Sequence, residues 1–189
     1  YRTRQMLAER RRRLETLTSN LPGVVYRCGT EPGWPMESVE GDAVALTGHT
    51  ARELEREEVS WGGDIIHPED RDRIRTVVEE ALAADDAFED TYRIVTAGGA
   101  TEWVWERGRE VGGNGDEVTL EGFITDVTER VERERELQRR ERILRAVYDA
   151  VSDREKSFEE QVGTLLDLGR SALGLDYGAL SRVRDEEYV

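Results

Sequence analysis

Residues 118–131, VTLEGFITDVTERV, constrain the fold most, because they change from a strand pattern to a helix pattern at one position. Apolar and polar residues alternate from Val118 to Thr125, which is typical of a half-buried strand. Asp126 then precedes Glu129 by three residues, the spacing of a capping box at the start of a helix. More than twenty residues without Gly or Pro follow. The sequence therefore predicts a strand that passes directly into a long helix.

The rest of the chain predicts that this strand belongs to an antiparallel sheet. Strand patterns separated by turn residues occur at 24–30, 35–40, 88–96, 101–111 and 118–125. Between the second and third lie short helical turns and a helix that is expected to begin at Pro68, within His67-Pro68-Glu69-Asp70. We therefore expect an α+β fold, with a five-stranded antiparallel sheet, helices on one face, and flanking N- and C-terminal helices.

The two flanking helices each carry a narrow apolar seam. The segments are residues 1–20, which resemble a coiled-coil helix, and residues 129–152, a linker helix. The seams predict a parallel homodimer through the flanking helices, and the alternative is a solvated linker helix that contacts nothing. The predicted seam residues are Leu7, Leu14, Leu17, Leu137, Leu144, Val147 and Val151.

Several motifs between residues 17 and 130 resemble the PAS family, in the subtype that carries His-Pro-Glu-Asp. The end, Gly122 to Arg130, resembles the last strand and signalling helix of that family. The resemblance implies a PAS domain at 21–128, in which Asp126 and Thr128 tie the sheet to the exit helix and transmit a signal. An ordinary helix cap is the alternative role. The other matching motifs are LPGVVY at 21–26, LTG at 46–48 with Glu53-Leu54, HPEDR at 67–71, YRI at 92–94, Gly98-Gly99 and Trp103-Val104.

Residues 153–189 resemble the start of a GAF domain. Ser157 and Glu160 have capping-box spacing before an amphipathic helix, Gly174 suits its C-terminal cap, and residues 175–183 have a strand pattern. Too few residues follow to complete such a domain. We therefore expect the chain to be part of a longer protein.

A ligand pocket is expected, if anywhere, between the sheet and its helices. No cofactor is expected, and an unidentified small molecule is the candidate ligand. The alternative is that the same side chains are plain core. The residues predicted to line the pocket are Val25, Leu46, Leu54, Ile66, Phe88, Tyr92, Trp103, Trp105 and Phe123.

Residues with reactive or metal-binding side chains are few. His49 and His67 are the only histidines and stand without clustered cysteines, so no metal or haem site is expected. Cys28 is the only cysteine and lies outside any flavin-adduct motif. The run at 112–117 is predicted to be a hairpin turn despite its likeness to a cyclase signature. With no nucleophile–base pair and no phosphate-binding loop, the sequence predicts no catalytic site.

The net charge of the chain indicates which binding partners and which salt conditions are expected for it. The net charge is -15, and Lys156 is the only lysine. This composition is typical of a salt-adapted cytoplasmic protein, with an acidic mesophilic protein as the alternative. It argues against contact of this chain with nucleic acid or an anionic membrane. Without a signal peptide or an apolar span, a cytoplasmic location is expected.

The resemblance to PAS domains implies the function expected of the chain. It predicts a sensory or regulatory module of a multidomain signal-transduction protein, either a sensor histidine kinase or a transcriptional regulator. The output domain would lie downstream in the same chain. The alternative is a ligand-free PAS module used for dimerisation and interaction.

Overall fold

The computed structural model describes residues 22–112, 118–153, 155–181, 183–184 and 187–188 of the 189-residue chain. The chain divides into two units, with the boundary between Glu129 and Arg130. The predicted N-terminal helix, with Leu7, Leu14 and Leu17, lies outside the described residues, as do residues 113–117 of the predicted hairpin turn.

The first unit contains one five-stranded antiparallel sheet with the strand order β2-β1-β5-β4-β3. The three later strands form a meander, and β5 returns to pair with β1 at the centre. The predicted α+β fold with a five-stranded antiparallel sheet is confirmed. The strands are β1 (Val24–Gly29), β2 (Met36–Gly41), β3 (Phe88–Val95), β4 (Thr101–Val111) and β5 (Thr119–Asp126).

Helical segments between β2 and β3 cover one face of this sheet. They are α1 (Ala43–Thr47), α2 (Ala51–Glu55), a π-helical turn (Trp61–Ile65) and α3 (Arg71–Ala83). Their apolar residues, such as Leu46, Leu54 and Ile74, form one hydrophobic core with the inward side chains of the strands. That core is the space in which a buried site can form.

The start of α3 corrects one prediction. The helix begins at Arg71 and not at Pro68, because residues 68–70 form a turn in which the Asp70 N–H donates to the His67 carbonyl, at 2.9 Å. The Asp70 side chain makes no capping bond. Its carboxylate instead accepts from the backbone N–H, Nε and Nη2 of Arg93 on β3, at 2.9, 3.0 and 2.7 Å. This clamp fixes the start of α3 to the sheet.

The second unit consists mainly of two helices. They are α4 (Thr128–Ser152), which begins in the first unit, and α5 (Phe158–Leu173), followed by the short strands β6 (Val183–Arg184) and β7 (Glu187–Tyr188). The capping box of Ser157 with Glu160 and the left-handed Gly174 cap are confirmed. The predicted strand at 175–183 is wrong for residues 175–181, which pair with no other strand in the described chain.

Candidate functional site

The junction between β5 and α4 is built from side-chain bonds to free backbone groups. The Asp126 Oδ1 accepts from the backbone N–H of Thr128 at 2.7 Å. Because α4 begins at Thr128, this bond satisfies one of the amides that a helix start leaves without an internal partner. The prediction that Asp126 accepts from a backbone amide at the helix start is confirmed.

Thr128 also ties the start of α4 to the neighbouring strand β4. Its Oγ1 accepts from the Trp103 backbone N–H at 2.9 Å and faces the Trp103 carbonyl at 3.4 Å. The Val127 N–H donates to the same carbonyl at 2.8 Å. The first residues of α4 are therefore bonded to β4 as well as covalently joined to β5. A displacement of β4 must stretch these bonds or carry the helix start with it.

A buried carboxyl lies on the same strand, three residues along from Trp103. The Glu106 residue is only 6% exposed and faces the core. Its Oε2 accepts from the Tyr92 hydroxyl at 2.6 Å, and its Oε1 accepts from the Tyr26 hydroxyl. The Tyr92 oxygen in turn accepts from the Trp61 Nε1–H at 3.2 Å. We call these four residues the carboxyl cluster.

Two glycines make room for the Tyr26 side chain of this cluster. Tyr26 lies on β1, and its ring crosses β5 to reach Glu106 on β4. Gly122 and Gly108 face each other across β5 and β4, and a Cβ at either position would lie 2.6 Å from the Tyr26 hydroxyl oxygen. Any larger residue would push the hydroxyl away, because real Cβ contacts are not that short.

Burial is the largest cause of the pKa shifts in the carboxyl cluster. It raises the pKa of Glu106, and hydrogen bonds from the two tyrosines oppose that rise. Burial first, and the nearby Glu106 second, raise the pKa of both tyrosines and of Cys28. Cys28 is therefore a protonated thiol, which makes it a buried apolar group and a poor nucleophile.

The cavity beside the cluster is small. Its volume is about 10 Å³, which is roughly the space that one water molecule needs. Tyr26, Cys28, Trp34, Trp61 and Phe88 are among its lining residues. Side chains therefore fill the interior beside the carboxyl cluster.

Five of the predicted pocket residues lie in this interior. Ile66 and Phe88 line the cavity, and Tyr92 belongs to the carboxyl cluster. Leu46 and Leu54 are buried in the same core without lining the cavity. Whether any of them contacts a ligand stays a prediction.

The other four predicted pocket residues point the other way. Val25, Trp103, Trp105 and Phe123 are half-buried and alternate with the core residues of their strands. The Trp103 ring lies 5.9 Å from the Arg93 guanidinium, and the Trp105 Nε1 donates to Glu89 at 2.9 Å. They line the outer face of the sheet, because Val104, Glu106 and Gly108 take the inward positions of β4.

Glu106 and Tyr26 were missed as site residues by the sequence reasoning. The available signal was that Val104, Glu106 and Gly108 share one face of β4, so a core that contains Val104 also contains a glutamate. The partner that most compensates this charge, Tyr26, lies 80 residues away in the sequence.

The predicted seam of α4 is largely exposed. Leu137, Leu144 and Val151 are 65%, 69% and 55% exposed, and Val147 is half-buried. An open apolar surface near the end of the helix is formed by Leu144, Val147, Tyr148 and Val151. Closer to the first unit the same helix is polar, as in the ion pair of Arg140 with Glu136 at 2.8 Å.

Neither a metal-binding cluster nor a membrane-spanning helix occurs in the described part of the chain. No group of three or more His, Cys, Asp or Glu side chains there is placed to hold a metal ion. None of the described helices combines the length and the apolar character that a bilayer crossing requires.

Comparison with known proteins identifies the first unit. Residues 37–124 match the family model described as the PAS fold. A sensory box histidine kinase/response regulator from Burkholderia thailandensis E264 has a similar structure, with a TM-score of 0.54 and 23% identity over 70% of this chain and 98% of that chain. The first unit therefore has the PAS fold. Such domains are in general not catalytic, as predicted for this chain.

Two further proteins are similar in sequence. A methyl sulfide methyltransferase-associated sensor from Methanosarcina acetivorans is 28% identical over 131 residues, which are 68% of this chain. The chain spans only 13% of the length of that relative. An RNA-binding light-oxygen-voltage receptor is 26% identical, with a TM-score of 0.52, over 67% of this chain and 36% of that chain.

Proposed function

We propose that the chain is a sensory module of a multidomain signalling protein, and that α4 carries its output. The observation that supports this most is the bonding of Thr128 and Val127 to Trp103, which ties the start of α4 to a central strand. The similarity to a protein described as a sensor supports the same class of function.

The transmission requires only modest energies. A hydrogen bond of this kind contributes about 0.5–1.5 kcal/mol, and a coupling of about 1–3 kcal/mol changes a population 5- to 150-fold. A core change that displaces β4 at Glu106 alters the bonds three residues along, at Trp103. The signal then leaves the domain as a change in the first turns of α4.

The receiving end is proposed to be a parallel homodimer through the α4 seam. Exposed Leu137, Leu144 and Val151 repeat every seven residues, which suits a coiled coil. Polar residues nearer the domain keep such a seam marginal, so that a small shift at the junction can change its population. The N-terminal seam of Leu7, Leu14 and Leu17 would extend the same dimer.

The setting of the module is part of the proposal. Its PAS subtype is the one with His-Pro-Glu-Asp, and residues 153–189 begin a GAF domain. The whole protein is a cytoplasmic sensor histidine kinase or transcriptional regulator, with its output domain downstream. The charge of -15 with a single lysine supports a salt-adapted source.

A second function, a ligand-free dimerisation module, is favoured by the small cavity. A volume of about 10 Å³ accommodates no organic ligand without rearrangement. Mass spectrometry of the purified chain under native conditions separates the two: a retained small molecule supports a ligand sensor, and an unliganded mass that no added compound changes supports the interaction module.

The proposed output path is tested by Thr128→Val, which replaces the hydroxyl by a methyl group of similar size. Amide hydrogen exchange in residues 130–140 should become several-fold faster, and the Trp103 amide, which loses its acceptor, should also exchange faster. Exchange at the other amides of β1 to β5 should stay unchanged. Thr76→Val is the matched control, because the Thr76 hydroxyl bonds only within α3, to the Asp72 carbonyl. Equal exchange in both variants would show that Thr128 does not hold the helix.

The dimer is tested by Leu137→Glu with Leu144→Glu and light scattering over a concentration series. The double variant should be monomeric at concentrations where the wild type is dimeric. Gln138→Glu with Arg142→Gln makes the same change of net charge on the opposite face of α4 and should remain dimeric. A wild type that stays monomeric at the highest concentration would end the dimer proposal.

A further inference from the structure

A charge on Glu106 would be compensated incompletely by the groups around it. An ionised glutamate can accept about four hydrogen bonds, whereas the structure gives Glu106 one from each of two tyrosines. The titratable groups that act on it from the neighbouring strands are Tyr26 and Cys28 on β1 and Tyr92 and Asp90 on β3. None of these is a cation. From α3, Ile74 and Val78 present only apolar groups.

Counting donors and acceptors shows how the cluster can exist in two forms. In the ionised form the Trp61 N–H and the two tyrosine hydroxyls each have an acceptor. A proton on Oε1 turns that acceptor into a donor, and the Tyr26 oxygen is the group within reach to accept from it. The Tyr26 hydroxyl hydrogen must then turn away from Glu106.

The small cavity gives that hydrogen a partner. Tyr26 lines the cavity together with Glu106 and Cys28, and the cavity has space for about one water molecule. A water there can accept from Tyr26 when Glu106 is neutral. With such a water, every donor of the cluster has an acceptor in both forms. The two forms differ in the orientation of one hydroxyl and in the charge of one carboxyl.

We propose that proton binding at Glu106 is a signal that this module senses, with Tyr26 as the group that reorients. A proton from solvent adds to Oε1, an O–H bond forms, and no other bond breaks. Glu106 lies on β4, which holds the start of α4, and Tyr26 lies on β1, which pairs with β5. Both strands adjoin the strand that ends at Asp126. The inference rests on the proposed output through α4.

The ionisation of Glu106 is measured on the whole chain by the ¹³Cδ shifts of labelled glutamates between pH 5 and pH 9. The Glu106 signal, assigned by its loss in Glu106→Gln, should titrate at higher pH than the exposed glutamates. The Trp61 indole signal should change with the same midpoint, and so should the protection of amides in residues 130–140, which is their exchange rate relative to the intrinsic rate at each pH. All three changes should be absent in Glu106→Gln and retained in Glu110→Gln, an exposed position on the same strand.

Tyr26→Phe provides a second test that does not require Glu106 to be replaced. It removes a donor to the ionised form, so the Glu106 midpoint should move to still higher pH. A Glu106 signal that titrates with the exposed glutamates would overturn the proposal. So would a shifted titration that leaves α4 exchange unchanged. Neither result bears on the Thr128→Val experiment at constant pH, which tests the output path by itself.

Discussion

The substitution Tyr92→Phe tests the carboxyl cluster most sharply, because one hydroxyl serves two partners. It removes the bond to Glu106 Oε2 and also the acceptor of the Trp61 indole N–H. A bond to a charged group contributes about 1.5–3 kcal/mol, and a buried donor without a partner costs about 1–3 kcal/mol. Since Trp61 is buried, we expect a loss of about 3–5 kcal/mol in the free energy of unfolding.

The comparison with Tyr26→Phe makes the prediction specific. That variant removes one bond to Glu106 and leaves every other donor of the cluster paired, so it should cost only about 1.5–3 kcal/mol. Urea unfolding at pH 8, followed by circular dichroism, measures both. With a slope of about 1–3 kcal/mol per molar urea, Tyr92→Phe should lower the midpoint on the order of 1–5 M.

The control is Tyr177→Phe after α5, where the side chain is exposed, and it should change stability by no more than about 0.5 kcal/mol. Equal costs for Tyr92→Phe and Tyr26→Phe would refute the shared-hydroxyl arrangement. It would mean that Trp61 finds another acceptor or that Tyr92 does not hold both groups.

Three further outcomes are expected. Asp70→Asn should lower the free energy of unfolding by about 1.5–3 kcal/mol at pH 7. Because Arg93 lowers the pKa of Asp70, the wild type loses this extra stability as the pH falls through that lowered pKa. Denaturation curves of the two proteins should therefore converge in acid. Gly122→Ala should cost about 1–3 kcal/mol by crowding Tyr26, whereas Gly112→Ala, which meets nothing within 4 Å, should not. With a net charge of -15, the melting temperature should rise from dilute buffer to molar potassium chloride as screening relieves self-repulsion, and a constant or falling value would contradict salt adaptation.

Local patterns were sufficient to predict the fold. The change of period at Asp126 predicts both β5 and α4, since a strand and a helix repeat their buried positions differently. The capping box of Ser157 with Glu160 likewise marks the start of α5 within a few residues of sequence. Such features are set by neighbours in the chain and need no knowledge of the tertiary structure.

The site could not be predicted from local patterns, because it is formed by contacts between residues that are distant in the sequence. Alternation assigns Trp103 and Trp105 to one face of β4 and Glu106 to the other, but it does not say which face is buried. Aromatic size favoured the tryptophans. The tertiary structure favours Glu106, because Tyr26 and Tyr92 bring hydroxyl donors from two other strands.

The prediction that α3 begins at Pro68 was wrong for a similar reason. Pro68 and Asp70 have the composition of a helix start, yet Arg93 on β3 takes the Asp70 carboxylate. Residues 175–181 carry a strand pattern, yet they pair with no strand in the part of the chain that the structure describes. A hydrophobic pattern alone does not make a sheet.

The central claim is that the state of the core reaches α4 through β4 and Thr128. The most direct measurement is amide exchange in residues 130–140 in a cycle of four chains: wild type, Tyr92→Phe, Thr128→Val and the double variant. We predict that Tyr92→Phe accelerates exchange there when Thr128 is present and adds nothing when it is replaced. Equal acceleration by Tyr92→Phe in both backgrounds would contradict the claim, because the core would then reach α4 by another route.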